Sequence, residues 1–481
     1  MSETLGRKVT RGLAWSGLES FGGAALSLAT TMVLARLVLP DEYGLIAELQ
    51  IFILFGTYLV ESGLSTALIR LKERTKRHEE TALAFNIAIG VLIYFVIYLA
   101  APWIASFYGM GQLCEISRIY GLIIPLNSLC VVQHARLSAA MQFGMIFAAT
   151  GTATVLSSLV AIIMAWKGEG VWALVAQQLI MWGARGAILW GIQWNNPVAP
   201  RFHGKEFREL YAFGYKLLLS SFIVNLSTSF SSMIIGKVFT AGQAGLFSRA
   251  RTIASYPAEN GTAAVQRVSF PAMVGIAEDK AALETTTRRF IGFSSWILFP
   301  VMILLAALAP QCVEILLGSE WAESAPYFAI ICLGYTLYPL HSINLNLLNV
   351  FGRSDLFLRL EIIKAVVSIS LLVTGLVLGG VMGICVAFSV NSVVCIFING
   401  HYSEKYSGIK IWTQVWMLLP SLLISIPSAV LAYWVASLVN ATFLSLVTGL
   451  TAGGAIYLII SKILIPDYIG MLGRALNNLK S

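Results

Sequence analysis

Long apolar stretches separated by short polar runs set the rhythm of this chain, near residues 13–38, 44–69, 81–107, 118–141, 145–166, 171–194, 213–239, 248–274, 290–317, 325–349, 356–378, 380–400, 414–438 and 441–465. A helix needs about 20 predominantly apolar residues to cross the hydrocarbon layer of a bilayer. None of these stretches alternates apolar and polar residues over about ten positions, as the strand of a membrane barrel would. Helices are the other way to satisfy backbone groups in lipid. The pattern therefore predicts an all-α polytopic membrane protein of about 14 transmembrane helices. Arg7, Lys8 and Arg11 precede an apolar run that continues to Leu39. That run is too long for a signal peptide and has no clear cleavage box, so it reads as an uncleaved first span.

Composition sharpens the picture. Mean hydropathy is +0.79, and charged residues make up 12% of the chain, against roughly a quarter in a soluble domain. The formal charge of +8 invites a nucleic-acid partner, but its distribution argues against one. Arg70, Lys72, Arg74, Lys76 and Arg77, then Arg201, Lys205 and Arg208, then Lys280, Arg288 and Arg289, then Arg353, Lys405, Lys410, Arg474 and Lys480 all fall on alternate connections. The intervening connections "PDEY", "YGMGQLCE", "TAGQAGLF" and "GSEWAE" carry no Lys or Arg, with Lys167 the exception. Basic residues concentrate in short cytoplasmic loops, so both termini are expected in the cytoplasm. The scattered cysteines, with no CxxC pair, read as small packing residues.

Two segments match each other. "ARLVLPDEYGLIA" (35–47) and "GKVFTAGQAGLFS" (236–248) each end a span on a basic residue, turn through a short loop and restart with Gly-Leu at the same spacing, 201 residues apart. The offset is an even number of spans, so the two units share one orientation, as in transporters built from two parallel bundles. The division expected is 1–205 for the first six spans, 206–402 for the next six, and 403–481 for two further spans and a cytoplasmic tail.

The eighth span is the odd one. Ser248, Thr252, Ser255, Glu259, Thr262, Gln266 and Ser269 recur at helical spacing and predict one polar stripe through the membrane, with Asn260 and Arg267 beside it. Asn225 and Thr228 continue a shorter polar line in the seventh span, and Glu19 sits in the first. Small polar residues also serve plain helix packing. A charge at mid-membrane, however, costs about 2.5–3.5 kcal/mol even on the gentlest scale. Pro257 and Pro271 each remove a backbone donor and are expected to kink or break this helix, freeing carbonyls to line a water-filled path.

The chemistry such a path offers is mixed. Arg249, Arg251, Arg267 and Lys237 suit an anionic cargo such as a pyrophosphate head group. Glu19, Glu61 and Glu259 are the carboxylates placed to bind a proton or Na⁺, and pairing with a buried arginine would equally account for them. Glu48, Arg118, Arg136, Arg185, Arg359, Glu361 and Lys364 are further ionisable residues in or near spans, some close enough to an end to snorkel. No GxxxxGK[ST] cradle for ATP occurs, and the five histidines form no HExxH or other metal spacing. An enzyme, a metal site and an organic cofactor are therefore not expected. "FHGKEFREL" (202–210) reads as an interfacial connector.

"LARLVLPDEYGLIA" (34–47), "ESGLSTALIR" (61–70), "GEGVWALVAQQ" (168–178) and "AGLFSRARTIASYPAENGTAAVQRVSFPAM" (244–273) resemble the bacterial polysaccharide-repeat flippases. These belong to the multidrug/oligosaccharidyl-lipid/polysaccharide transporter superfamily. The likeness runs from about residue 5 to residue 400. It implies two six-helix lobes in a V around a cationic cavity, with two extra helices against lipid tails. It also implies a flippase that carries an undecaprenyl-diphosphate-linked oligosaccharide from the cytoplasmic to the periplasmic leaflet of the inner membrane, for exopolysaccharide or lipopolysaccharide O-antigen. Its implied partners are that lipid-linked glycan, membrane lipids, and a polysaccharide polymerase with its chain-length regulator. Two other readings stand beside it: a cation-coupled multidrug exporter of the same superfamily, for which an acidic cavity would be expected, and a membrane scaffold for glycan assembly, in which cavity charges would be dispensable.

Overall fold

The computed structural model describes residues 22–23, 26–61, 64–71, 74–140, 142–212, 234–351, 353–468 and 470. Glu19, Asn225 and Thr228 lie outside the described residues, and so do the side chains of Arg267 and Pro271. The order is α1 (Leu26–Ala35), α2 (Pro40–Glu61), α3 (Leu64–Arg70), α4 (Lys76–Tyr108), α5 (Gln112–Tyr120), α6 (Ile123–Ala139), α7 (Phe143–Trp166), α8 (Val171–Ile192), α9 (204–212), α10 (Ala241–Gly275), α11 (Lys280–Ala307) and α12 (Ala309–Leu316). α13 (Ala325–Tyr335), α14 (Tyr338–Val350), α15 (Ser354–Ser407), α16 (Ile411–Ser437) and α17 (Thr442–Leu464) complete it. Among the described residues, 9 helices are long and apolar enough to cross a membrane. α15 is counted once there although it is two rods, α8 and α10 have the length but more polar faces, and residues 26–35 and 234–238 are the described ends of spans 1 and 7. Together they fill the pattern of about fourteen.

Where the rods break follows from the residues. In α15 the helix stops at Gly379 and Gly380, the latter at φ 58°, a left-handed conformation that costs a residue without Cβ little. The two halves then press together at Gly375 and Gly383, where a side chain on either would strike the carbonyl of the other. The fourth predicted span is split at residues 121–122 into α5 and α6, and the tenth at residues 336–337 into α13 and α14.

Contacts divide the chain into two compact units, residues 1–245 and 246–481. Residues 206–212 and 234–245 thus belong to the first unit, although the repeat would assign them to the second lobe. In the first unit, Leu45, Leu49 and Ile53 of α2 join Ile104 and Tyr108 of α4, Leu113 and Ile116 of α5 and Ala241 in one apolar core. The opposite face of α4 presents Leu92, Phe95, Val96, Leu99 and Trp103, all exposed, as a lipid-facing surface requires. At the basic end of α4, Glu79 binds Arg74 at 3.0 Å and Arg136 at 3.1 Å. His78 meets Glu209 and His203 meets Glu80, at 3.2 and 3.3 Å, which ties the "FHGKEFREL" connector, α9 included, to the start of α4.

In the second unit the two last helices are an integral part of the packing. α16 packs against both α11 and α17. Trp296 of α11 donates its indole N–H to Ser461 at 3.0 Å, and Tyr457 donates its hydroxyl back to the Trp296 carbonyl at 2.7 Å. Ser425 and Ser428 of α16 return their hydroxyls to their own helix at 2.7 Å, so buried polar atoms cost nothing at this seam. Gly449 and Gly453 of α17 let it approach Ala432 closely.

Candidate functional site

α10 carries the predicted stripe, and its burial shows two unlike halves. Thr240 opens the helix by accepting the Gln243 amide on Oγ1 at 3.3 Å. From there Ala250, Ile253, Ala254 and Ala258 form the packed face, all at least 94% buried. Ser248, Thr252, Ser255 and Glu259 lie on the more open side, with Glu259 exposed. Further along, Thr262 and Ser269 are buried with unpartnered hydroxyls, and Gln266 donates to Ser342 of α14. The expectation of one wet line along the whole helix is therefore corrected: its first half is open and its second half is covered by protein.

Most of the polar atoms in the open half are satisfied locally. Thr252 donates to the Ser248 carbonyl at 2.8 Å, Ser255 to the Thr252 carbonyl at 3.1 Å, and the Asn260 amide to the Tyr256 carbonyl at 2.8 Å. Such back-bonding is the ordinary way a membrane helix carries hydroxyls. The helix also continues through Pro257 and Pro271. The expected break is thus absent: each proline forfeits one backbone bond, and the turns on either side hold the rod together.

The charged residues of α10 are grouped. Arg251 hydrogen-bonds Tyr335 of α13, stands with its guanidinium carbon 5.7 Å from the Phe388 ring centroid, and lies within electrostatic reach of Glu259. Arg249 is half-buried one turn before Ile253. Lys364 and Glu361 pair with each other on α15, and His341 is held between Ser392 at 3.1 Å and Asn399 at 3.3 Å. Lys364 and Glu361 thus satisfy each other, while Asn399 Oδ1 is buried with no hydrogen-bond partner among the described residues.

The first unit has its own set. Lys237 donates to the Phe107 carbonyl and stands 4.3 Å from that ring's centroid, so its ammonium is engaged at the end of α4. Glu61 is exposed at the end of α2, within electrostatic reach of Arg185 of α8, whose guanidinium carbon is 5.3 Å from the Trp182 centroid. Glu48, which the sequence offered only as one ionisable residue among many, is 0% exposed, and neither carboxylate oxygen has a hydrogen-bond partner among the described residues. An apolar cleft of about 580 Å³ is lined by Gly22, Gly23, Leu26, Phe147, Gly151 and Val155 among others, with no charged side chain among the described residues that line it.

The matched segments also meet. A Cβ on Gly44 would fall inside the Ala241 carbonyl, and one on Gly245 inside the Pro40 carbonyl. Pro40 and Ala241 are counterparts at the repeat offset, as are Gly44 and Gly245. The contact is therefore reciprocal, as in an interface between two-fold related surfaces. The glycines in "YGL" and "AGL" are the sequence signal for it, because backbone can reach backbone only where no side chain intervenes.

Comparison with known proteins adds the family. A family model described as "Polysaccharide biosynthesis protein" matches residues 33–326. The succinoglycan biosynthesis transport protein ExoT of Rhizobium meliloti is 26% identical over 388 residues, 79% of this chain and 77% of that protein. The lipopolysaccharide biosynthesis protein WzxC of Escherichia coli is 22% identical over 437 residues, 88% of each. Among solved structures, the lipid II flippase MurJ in an inward closed conformation superimposes with a TM-score of 0.79 at 13% identity, covering 95% of this chain and 100% of its own.

Proposed function

The chain belongs to the polysaccharide biosynthesis protein family, and we propose that it is a flippase moving undecaprenyl-diphosphate-linked oligosaccharide repeat units from the cytoplasmic to the periplasmic leaflet of a bacterial inner membrane. The observation that carries this reading is the family match over 33–326, on a multi-helix membrane chain aligned over most of its length with proteins named for the transport or synthesis of exported glycans. Physical chemistry supports it. Each sugar hydroxyl dragged unpaired through hydrocarbon costs several kcal/mol, about 4–8 on a cyclohexane scale, so an unassisted repeat unit does not cross. A polar path through the protein removes that barrier while the lipid tail stays in lipid.

In this reading Arg249, Arg251 and Arg267 grip the pyrophosphate or acidic sugars. Glu259, Glu61 and Glu19 serve coupling to a proton or Na⁺ gradient by alternating access. Glu259 within electrostatic reach of Arg251, and Glu61 within that of Arg185, supports carboxylates that respond to cargo, because a cation or an anionic group arriving at one charge alters the surroundings of the other. A strain lacking the protein is expected to accumulate lipid-linked repeat units on the cytoplasmic side, and mass analysis of that lipid identifies the cargo. The double variant Arg249→Ala, Arg267→Ala is expected to abolish export with normal protein level in the membrane. Normal export from it would remove the arginine assignment.

A further inference from the structure

Resting on the reading of a coupled flippase, we propose that Glu48 is a proton-binding site that locks the contact between the two repeat hairpins, so that a proton taken from the outward side is the ligand that lets this contact close. Glu48 lies on the third turn of α2, beyond the Gly44 that meets Ala241. It is fully buried, flanked by the buried Ala47 and Leu49, with no hydrogen bond from a described residue to either oxygen. Gly236, at the start of the second hairpin, makes the room: a Cβ there would sit 3.1 Å from Glu48 Oε1. The first hairpin thus supplies the carboxyl, and the second supplies the missing side chain that admits it.

The surroundings leave the carboxylate form without support. Helices α4, α5, α6 and α8 all pack on α2. From α4 the Tyr108 hydroxyl is within electrostatic reach of Glu48 and is itself buried without a partner. Next to Gly236, Lys237 is turned to Phe107. Arg118 of α5 stands over Tyr98, Arg136 of α6 is bound to Glu79, and Arg185 of α8 lies over Trp182 beside Glu61 and His134. Glu115 of α5, Asp41 of α2 and the Glu61 end of α2 are exposed, and Glu42 is tied to the Leu39 amide at 3.2 Å. Among the described residues no cation offsets a charge at position 48.

An ionised carboxyl in such a place is far costlier than a protonated one, so the closed contact requires the acid form. When the hairpins part, the carboxyl meets water and ionises at neutral pH. The closed form therefore binds a proton that the open form releases, and acidifying the outward side favours closing.

The test uses the full-length protein in liposomes, spin-labelled at Leu37→Cys and Val238→Cys, which are exposed repeat counterparts, in a Cys114→Ser background because the other five cysteines are buried. Pulsed electron resonance then reads the distance between the hairpins. The ratio of open to closed populations is expected to rise with pH, by at most about tenfold per unit, the limit for one proton. Glu48→Gln, which mimics the protonated acid, is expected to stay closed at every pH. Glu48→Asp, which keeps the chemistry, retains a pH response and controls for folding. Gly236→Val, which crowds position 48, is expected to be open throughout. A pH response unchanged in Glu48→Gln, or a distance in the unsubstituted protein that ignores pH, overturns the proposal. Flipping of a fluorescent lipid-linked oligosaccharide in the same liposomes separates the two readings. Intact flipping with no pH response sinks the proton site alone, whereas a pH response without flipping supports the site and sinks the flippase.

Discussion

The second spans of the two matched units begin alike and then diverge. α2 and α10 both start from a hairpin whose glycine touches the other hairpin's backbone, and the repeat offset pairs Glu48 on one with Arg249 on the other. Around Glu48, α2 is apolar and packed, and the carboxyl has no hydrogen-bond partner among the described residues. Around Arg249, α10 has a polar side that remains half-buried to exposed as far as Glu259, with Tyr335 and Phe388 engaging Arg251. One scaffold position therefore hosts a group whose charge is penalised in one copy and a permanent cation in the other. Pseudosymmetry fixes where the backbones touch and leaves each copy's side chains free to specialise.

Making the copies alike should do the most damage. Glu48→Arg puts a permanent charge where protonation offers no escape, and a buried charge without a partner is expected to cost about 3–5 kcal/mol. The outcome expected is loss of folded protein from the membrane, read by immunoblot, and wild-type levels with normal export would refute the isolation of position 48. Next comes the shared contact itself: Gly44→Val and Gly245→Val each overpack a backbone seam, a change worth about 1–3 kcal/mol. Each is expected to keep the protein in the membrane and abolish export, with nearly equal effect because the contact is reciprocal. A large inequality between them, measured as exported glycan per unit of protein, would break the symmetry argument.

Smaller effects sharpen the contrast. Arg249→Gln is expected to reduce export several-fold while leaving the pH response of the hairpin distance intact, which separates cargo binding from the Glu48 latch. Least of all, Ser255→Ala and Thr252→Val remove hydroxyls already bonded to their own helix, so melting in detergent should change by no more than about 0.5 kcal/mol each. A larger loss would mean those hydroxyls face something other than their own carbonyls.

The fold was largely readable in advance, since span length answers to bilayer thickness and the two are matched within one segment of chain. The break between the eleventh and twelfth spans fell at Gly379 and Gly380, as the run of hydropathy required. Packing within the eighth span was not readable. A helical stripe in the sequence fixes which residues share a face, and it does not say which part of that face a neighbour covers; Ser342, reached by Gln266, comes from a helix far along the chain. The prolines did not interrupt the helix, because each removes one backbone bond and the turns on either side keep theirs.

By itself the sequence determined the all-α membrane class of the protein and the matched hairpins, because each rests on local length, period or spacing that a short window contains. The tertiary structure alone decided that Glu48 is sealed with no hydrogen-bond partner among the described residues, that Lys237 is engaged at Phe107, and that Arg251 meets Tyr335 of α13. Those facts depend on which distant residues arrive beside a given atom. The energy of a charge is set by that company far more than by its place in the chain.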